Sequence, residues 1–185
     1  MRFLVASDLH GSLPSAQRVA ALAKLHQPDL IILLGDLLYH GPRNPLPEGY
    51  APREAAAVLN QLGPRVLAIR GNCDALVDTV VLTFPLVDSA WVFADGLRIW
   101  LAHGHDHLLP DRLPDLAPGD VFLCGHTHIP RGETVGNLHV WNPGSITLPK
   151  RGEPAAYGLI EDGVFRVFTL DGHEHLKHMP LPGGH

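Results

Sequence analysis

Acidic, imidazole and amide side chains recur in this chain directly after short apolar runs. Phe3-Leu4-Val5-Ala6 leads into Ser7-Asp8-Leu9-His10, and Leu30-Ile31-Ile32-Leu33-Leu34 into Gly35-Asp36. Val66-Leu67-Ala68-Ile69 leads into Arg70-Gly71-Asn72-Cys73-Asp74, and Leu97-Arg98-Ile99-Trp100-Leu101-Ala102 into His103-Gly104-His105. Val121-Phe122-Leu123-Cys124 leads into Gly125-His126-Thr127-His128. Carboxylate, imidazole and amide together suit Mn²⁺, Fe²⁺, Zn²⁺ or Co²⁺, whereas Ca²⁺ prefers oxygen ligands and structural zinc favours cysteine clusters. Asp8, His10, Asp36, Asn72, His103, His126 and His128 exceed the needs of one ordinary transition-metal site and fit two sites that share a carboxylate. Two metals roughly 3.5–4 Å apart can hold a bridging hydroxide and clamp a phosphoryl group, and they supply a nucleophile near neutral pH. A lone Asp-x-His or Gly-Asp carries little weight. The signal is the ordered recurrence of ligand residues after apolar runs.

The runs themselves read as buried strands, being short and rich in branched residues. Ligands in such sheets sit outside the carboxyl ends of the strands, which places the seven residues along one edge of one sheet. Asp8 and His10, two apart, would point to one side of a regular strand, as would His126 and His128. Ser12 is a plausible N-cap for a helix over Ser15 to His26, and Gln27-Pro28-Asp29 ends it before the second strand. A long irregular stretch, Tyr39 to Pro52, leaves the proposed edge after Asp36; loops of this length are more often functional or disordered than filler. Arg53 to Gly63 reads as a second helix. Asp95-Gly96 and Asp162-Gly163 mark hairpins, and a short helix is expected over 111–116. Val80 to Phe84 reads as a subunit surface or a buried strand. A βαβαβ first half and a mostly β second half fit an α/β fold, a single-domain α-β-β-α sandwich with mixed sheets and flanking helices, spanning 1–172. His173, His175, His178 and His185 then belong to a solvated, His-rich tail over 173–185.

The 185 residues suffice for one domain with a substantial core, and no apolar stretch approaches a membrane span. The N-terminus runs straight into a strand, so no leader is visible and a cytoplasmic location is expected. The net charge of −5 argues against a nucleic-acid surface, which needs clustered Lys and Arg. Cys73 and Cys124 are read as reduced thiols rather than a disulfide framework.

The series Asp8-x-His10, Gly35-Asp36, Gly71-Asn72, His103-Gly104 and Gly125-His126-Thr127-His128 resembles the calcineurin-like metallophosphoesterase superfamily. Within it, the chain is similar to the small bacterial YfcE-type phosphodiesterases. That likeness includes Ala6 to Pro14, His40-Gly41-Pro42-Arg43-Asn44, Leu46 to Pro52, Arg70 to Asp74 and Asn142-Pro143-Gly144-Ser145. The resemblance implies that Asp8, His10, Asp36 and His128 hold a first metal. Asp36, Asn72, His103 and His126 would hold a second, with Asp36 bridging. It also implies Mn²⁺ as the activating ion, with Zn²⁺, Fe²⁺, Co²⁺ and Ni²⁺ as alternatives, and hydrolysis of a small phosphodiester through a metal-bridging hydroxide. Many superfamily members carry His directly after the metal-binding Asn, where it helps protonate the leaving group; here that residue is Cys73, a poorer donor. His40 and Arg43 are candidate helpers, His40 to donate a proton or orient substrate and Arg43 to hold phosphate oxygens. His105 is read as hydrogen-bonding support for the ligands. His107, Asp106 and Asp74 are open between support and solvent, and His26 and His139 read as ordinary helix-end and strand residues. A phosphomonoesterase or nucleotide pyrophosphatase on the same metals is an alternative. A protein-binding scaffold of the same fold is another, disfavoured because every ligand position holds a competent ligand. Homo-oligomerisation is left open.

Overall fold

The computed structural model describes residues 1–106 and 116–180. The chain begins with strand β1 (Arg2–Ala6), helix α1 (Leu13–His26) and strand β2 (Leu30–Leu33). Helix α2 (Pro52–Asn60), a 3₁₀ turn (Gly63–Arg65), β3 (Val66–Ile69), a one-turn helix α3 (Asp78–Val81) and β4 (Leu86–Val87) follow. The second half contributes β5 (Ser89–Ala94), β6 (Leu97–Ala102), β7 (Val121–Leu123), β8 (Pro130–Val135) and β9 (Leu138–Pro143). It closes with β10 (Ala156–Glu161), β11 (Val164–Thr169) and β12 (Glu174–His178). Ser12 caps α1, its side chain accepting the Ser15 N–H, and Gln27 in a left-handed conformation ends it. The helix expected over 111–116 falls largely on 107–115, outside the described residues.

Two mixed sheets stack face to face. The seven-stranded sheet runs β12-β11-β10-β1-β2-β3-β4, and the five-stranded sheet runs β5-β6-β7-β9-β8. The central strands of the first sheet are buried on both faces, which is why they read as near-continuous apolar runs. Along β1 the faces alternate. Phe3 and Val5 join Ile32, Ile69, Ile99, Leu101, Leu123 and Trp141 in a core between the sheets. Leu4 and Ala6 join Val19, Leu22, Ile31, Leu33, Ala55 and Leu59 in a second core under α1 and α2.

This topology delivers the ligand-bearing turns. β1, β2 and β3 are parallel neighbours, so their carboxyl ends share an edge. β6 and β7 are parallel neighbours in the other sheet. The candidate residues therefore come from two sheets rather than one, and they meet where the carboxyl edges of the layers adjoin.

Three segments depart from the sequence reading. Glu174–His178, expected in a solvated tail, pairs antiparallel with β11 as an edge strand. The Trp141 indole donates to His178 Nδ1 at 2.9 Å, and Leu176 packs against the inter-sheet core, so a partner distant in sequence orders this segment. Of the two readings of Val80 to Phe84, the buried strand does not hold: Val80 and Val81 lie in α3, 81% and 45% exposed, while Leu82 and Phe84 are buried. β8, which alternates polar residues with Gly132 and Val135, carried no apolar run to reveal it.

Candidate metal centre

None of the ligand pairs converges by strand alternation. β1 ends at Ala6 and β7 at Leu123, before their candidate ligands. Instead the backbone turns left-handed at Asp8 (φ 57°), His10 (φ 53°), Asp36 (φ 53°), His126 (φ 64°) and His128 (φ 60°). Asp and His tolerate this region better than most residues, yet each such position costs of order 1–3 kcal/mol, and strain of this kind clusters at functional sites. Close approach adds a second constraint. A Cβ on Gly71 would lie 2.1 Å from Asp36 Oδ1, and one on Gly125 would lie 2.0 Å from Ser7 Oγ, so the turns fit only with glycine.

The side chains so placed face one another. Asp8, His10 and His128 each offer a ligand atom within 4.8 Å of the others, as do Asp8, Asp36 and His103. Asp8, His10, Asp36, His103 and His128 are all buried. Three imidazoles are held from behind through Nδ1. His10 Nδ1 donates to the Tyr39 carbonyl at 3.0 Å, His103 Nδ1 to that of Leu34 at 2.6 Å, and His128 Nδ1 to that of Leu148 at 2.5 Å. A neutral ring with its proton on Nδ1 presents the Nε2 lone pair forward. Those Nε2 atoms point inward: His10 and His128 approach to 3.1 Å, His103 Nε2 lies 3.5 Å from Asp36 Oδ1, and His128 Nε2 lies 3.3 Å from Asp8 Oδ1. Asp8 Oδ1 is buried with no hydrogen-bond partner. Facing lone pairs around an orphaned carboxylate oxygen are what a divalent cation satisfies, so the residues fit a metal.

His126 and Asn72 complete the ring at the rim. The Asn72 amide oxygen is 3.2 Å from His103 Nε2, and the His126 and His103 ring centroids are 5.2 Å apart. The structure thus brings all seven sequence-predicted ligands to one locus. Cys73 Sγ also lies within 4.8 Å of His10 and Asp36 ligand atoms. Burial, with Asp36 beside it, pushes this thiol up to about 12.

A supporting layer fixes the carboxylates. Ser7 Oγ donates to Asp8 Oδ2 at 2.6 Å, and the His126 N–H donates to the same oxygen at 3.1 Å, leaving Oδ1 for the centre. Asp74, left open in the sequence, accepts the backbone N–H groups of Asp36 (2.8 Å), Leu37 (2.7 Å) and Gly71 (2.7 Å), which ties the turn after β2 to the turn after β3. Ser145 Oγ donates to the Asp8 carbonyl at 2.9 Å, and Asn142 Nδ2 donates to the Gly125 carbonyl at 2.6 Å.

Electrostatics distinguish the imidazoles. Burial disfavours charge on His103, but Asp36 and Asp8 overcome it and raise its pKa to about 9. His126 goes the other way, to about 4, because burial and the neighbouring His103 both oppose a proton. Burial also lowers His10. Burial opposes ionisation of Asp36, yet His103 and the Cys73 N–H hold its pKa well below the usual carboxylate range. Without metal, the proton on His103 is the counter-charge of the two carboxylates.

A cavity of about 340 Å³ opens over the centre, lined by Asp36, Asn72, His126 and His128 and, on its outer walls, by Arg43 and Lys150. Arg43 therefore reaches the cavity. His40 does not line it; its ring sits edge-on to Tyr39 and Tyr50, with centroids 4.8 and 5.1 Å away. The loop carrying both is pinned at its far end by Leu13 N–H to Gly49 O at 3.0 Å and Ala51 N–H to Gly11 O at 2.9 Å. The His105 ring lies tilted to those of His103 and His126, with centroids 5.5 and 6.1 Å away; its Nδ1 is buried and, among the described residues, has no hydrogen-bond partner, while its Nε2 lies 3.3 Å from Asp106 Oδ2. His107 lies outside the described residues. Lys150 was missed by the sequence reading, since no motif marks it.

The Asp74 clamp predicts that Asp74→Ala, which strands three backbone N–H groups, lowers the free energy of unfolding by about 3 kcal/mol and weakens metal uptake. Denaturant unfolding checks this, and a loss under about 1 kcal/mol would contradict the clamp. A second prediction concerns pH. His103 has a folded pKa raised above its unfolded value, so its contribution to stability is full below about pH 6.5 and is lost as pH rises through about 9. Metal-free protein is expected to show a melting temperature that falls across that window. In metal-loaded protein, where the cation replaces the proton, the fall should vanish. Thermal melts with chelator and with Mn²⁺ decide it, and a flat chelated profile would contradict the pairing.

Comparison with known proteins agrees with this geometry. Residues 1–162 match the calcineurin-like phosphoesterase superfamily domain. The chain is 44% identical over 173 residues to the phosphodiesterase YfcE of Escherichia coli K12, covering 92% of this chain and 93% of that one. Its structure superposes on that of the E. coli phosphoesterase with a TM-score of 0.90 at 43% identity, over 96% and 98% of the two chains. Wild-type Vps29 of Entamoeba histolytica, solved with Zn²⁺, shares the fold alone, with a TM-score of 0.62 and 21% identity over 96% and 98% of the chains. The chain belongs to the calcineurin-like phosphoesterase superfamily.

Proposed function

We propose that this chain hydrolyses a small phosphodiester at a centre of two divalent metal ions, with Mn²⁺ as the activating ion. The observation that carries the reading is the buried pair Asp8 and Asp36 facing imidazoles whose outer nitrogens are tied to carbonyls. Asp8, His10, Asp36 and His128 would hold one ion. Asp36, Asn72, His103 and His126 would hold the other, with Asp36 between them. Such ions, when bound, neutralise phosphoryl charge and lower the pKa of water. The YfcE relative, named a phosphodiesterase, supports the diester substrate.

The chain's own groups do the rest. Arg43 and Lys150 stand on the cavity wall, where two cations bind and orient the non-bridging phosphate oxygens. Arg43 suits a bidentate grip and Lys150 a point charge. Cys73, beside Asn72, offers a thiol where a thiol is a poorer proton donor than an imidazole, which favours esters of acidic alcohols and phenols. His40, packed between Tyr39 and Tyr50, serves best by setting the path of the loop that carries Arg43. The free thiols Cys73 and Cys124 are in keeping with a cytoplasmic setting. Among the described residues, no helix is long and apolar enough to cross a membrane.

Hydrolysis of an activated aryl phosphodiester and of the matching monoester tests this. Protein stripped of metal and resupplied with Mn²⁺ is expected to cleave the diester preferentially, and Asp36→Asn to lose at least about a hundredfold in rate. Equal or greater monoester cleavage would reassign the substrate, and absence of cleavage with every divalent ion would overturn the reading.

A further inference from the structure

A second cavity adjoins the metal centre and differs from it in character. It encloses about 580 Å³ and is lined by Leu38, Tyr39, Tyr50, Cys73, Val77 and Val81 among others. Its charged lining residues, among those described, are Arg53 and Asp78; the Asp78 carboxylate is turned inward to accept the Ala75 N–H at 2.8 Å and is 7% exposed. Arg53, which is exposed, aside, the wall is apolar and aromatic. Tyr39, Val77 and Val81 are 42%, 65% and 45% exposed, so this surface meets water when the groove is empty. Clustered exposure of that kind marks a binding surface more often than an inert one.

Cys73 connects the two cavities, lining both. Its N–H donates to Asp36 Oδ1 at 2.8 Å, and its Sγ accepts from Asn72 Nδ2 at 3.2 Å, so the mouth of the groove lies one residue from the candidate ligands. Tyr39, on the opposite wall, gives its carbonyl to His10. Polar and apolar groups are sorted between the compartments: Arg43, Asn44 and Lys150 line the metal cavity, whereas tyrosine and valine line the groove. A phosphodiester with one apolar ester group matches that division, its phosphoryl in the first compartment and its organic group in the second.

We propose that the groove seats one ester group of the substrate, and that the substrates are diesters carrying a bulky apolar alcohol, aromatic or fused-ring. The inference rests on the phosphodiesterase reading. The volume is enough for one or two rings. Desolvating a second ring is worth about tenfold or more in binding.

A series of aryl methyl phosphodiesters, their phenols matched in acidity and growing from one ring to a fused pair, tests the seat. With Mn²⁺ saturating, kcat/KM of the unaltered protein is expected to rise about tenfold along the series, chiefly through KM. Val77→Asp is expected to flatten that rise. Val81→Asp gives a second variant at another exposed position, where folding is not at stake. Binding of the free fused-ring phenol to metal-free protein, followed through the ring signals of Tyr39 and Tyr50 by NMR, checks the seat without turnover. A flat series in the unaltered protein, the same slope in both variants, or unmoved tyrosine signals would overturn the proposal. So would light scattering that shows Val77→Asp dissolving a dimer while the slope persists, which would assign the groove to a second copy of the chain. Absence of hydrolysis for every diester would defeat the phosphodiesterase reading along with the seat, whereas hydrolysis indifferent to ring size would defeat the seat alone.

Discussion

Two buried carboxylates, Asp8 and Asp36, set the terms for the surrounding structure. Burying a charge without compensation costs several kcal/mol, and placing two together costs more. The chain meets this in layers. Ser7 and the His126 N–H satisfy one oxygen of Asp8, and the Cys73 N–H satisfies one of Asp36. A proton on His103 neutralises part of the remainder, and the orphaned Asp8 Oδ1 is left to the space between the imidazoles. Cations bound there would join the five turns that carry these residues into one object. The left-handed backbone at Asp8, His10, Asp36, His126 and His128 and the glycine contacts at Gly71 and Gly125 are the structural cost of this convergence.

The rest of the fold is arranged around that cost. Parallel strands in both layers bring their carboxyl ends to the same place, and two apolar cores, one between the sheets and one beneath the helices, make the scaffold stiff enough to hold strained turns. The loop from Tyr39 to Pro52 is fixed by backbone hydrogen bonds to the turn before α1. It thereby brings Arg43 to the phosphate side of the centre, and Tyr39 and Tyr50 to the apolar side. One loop contributes to both compartments, which under the proposed reading would link phosphodiester hydrolysis to the choice of an apolar ester group.

That these residues would gather at one locus was legible because its logic is local. An apolar strand must end, and a parallel strand ends at a ligand-binding edge, so residue type after each run carried the signal. What escaped was how the ligands meet. Spacing of two suggested strand alternation at Asp8 and His10, but the strand stops at Ala6 and left-handed turns do the work; nothing in the residues Asp and His specifies that conformation. Asp74 sat in plain view within Gly71-Asn72-Cys73-Asp74, but its role depends on N–H groups from the turn after β2, far away in sequence. Glu174–His178 read as a tail because it lies among glycine, proline and histidine, whereas its order comes from pairing with β11 and from Trp141. Lys150 and the Tyr39–Tyr50 groove are products of folding, with no pattern along the chain to announce them.

The central claim is that these seven side chains hold two ions per chain. Equilibrium dialysis of stripped protein against Mn²⁺, with metal and protein quantified by elemental analysis, addresses it without reference to any substrate. The account predicts two ions per folded chain, with uptake abolished or halved in Asp36→Asn, whose amide cannot bridge. A single ion, or binding indifferent to that substitution, would contradict it.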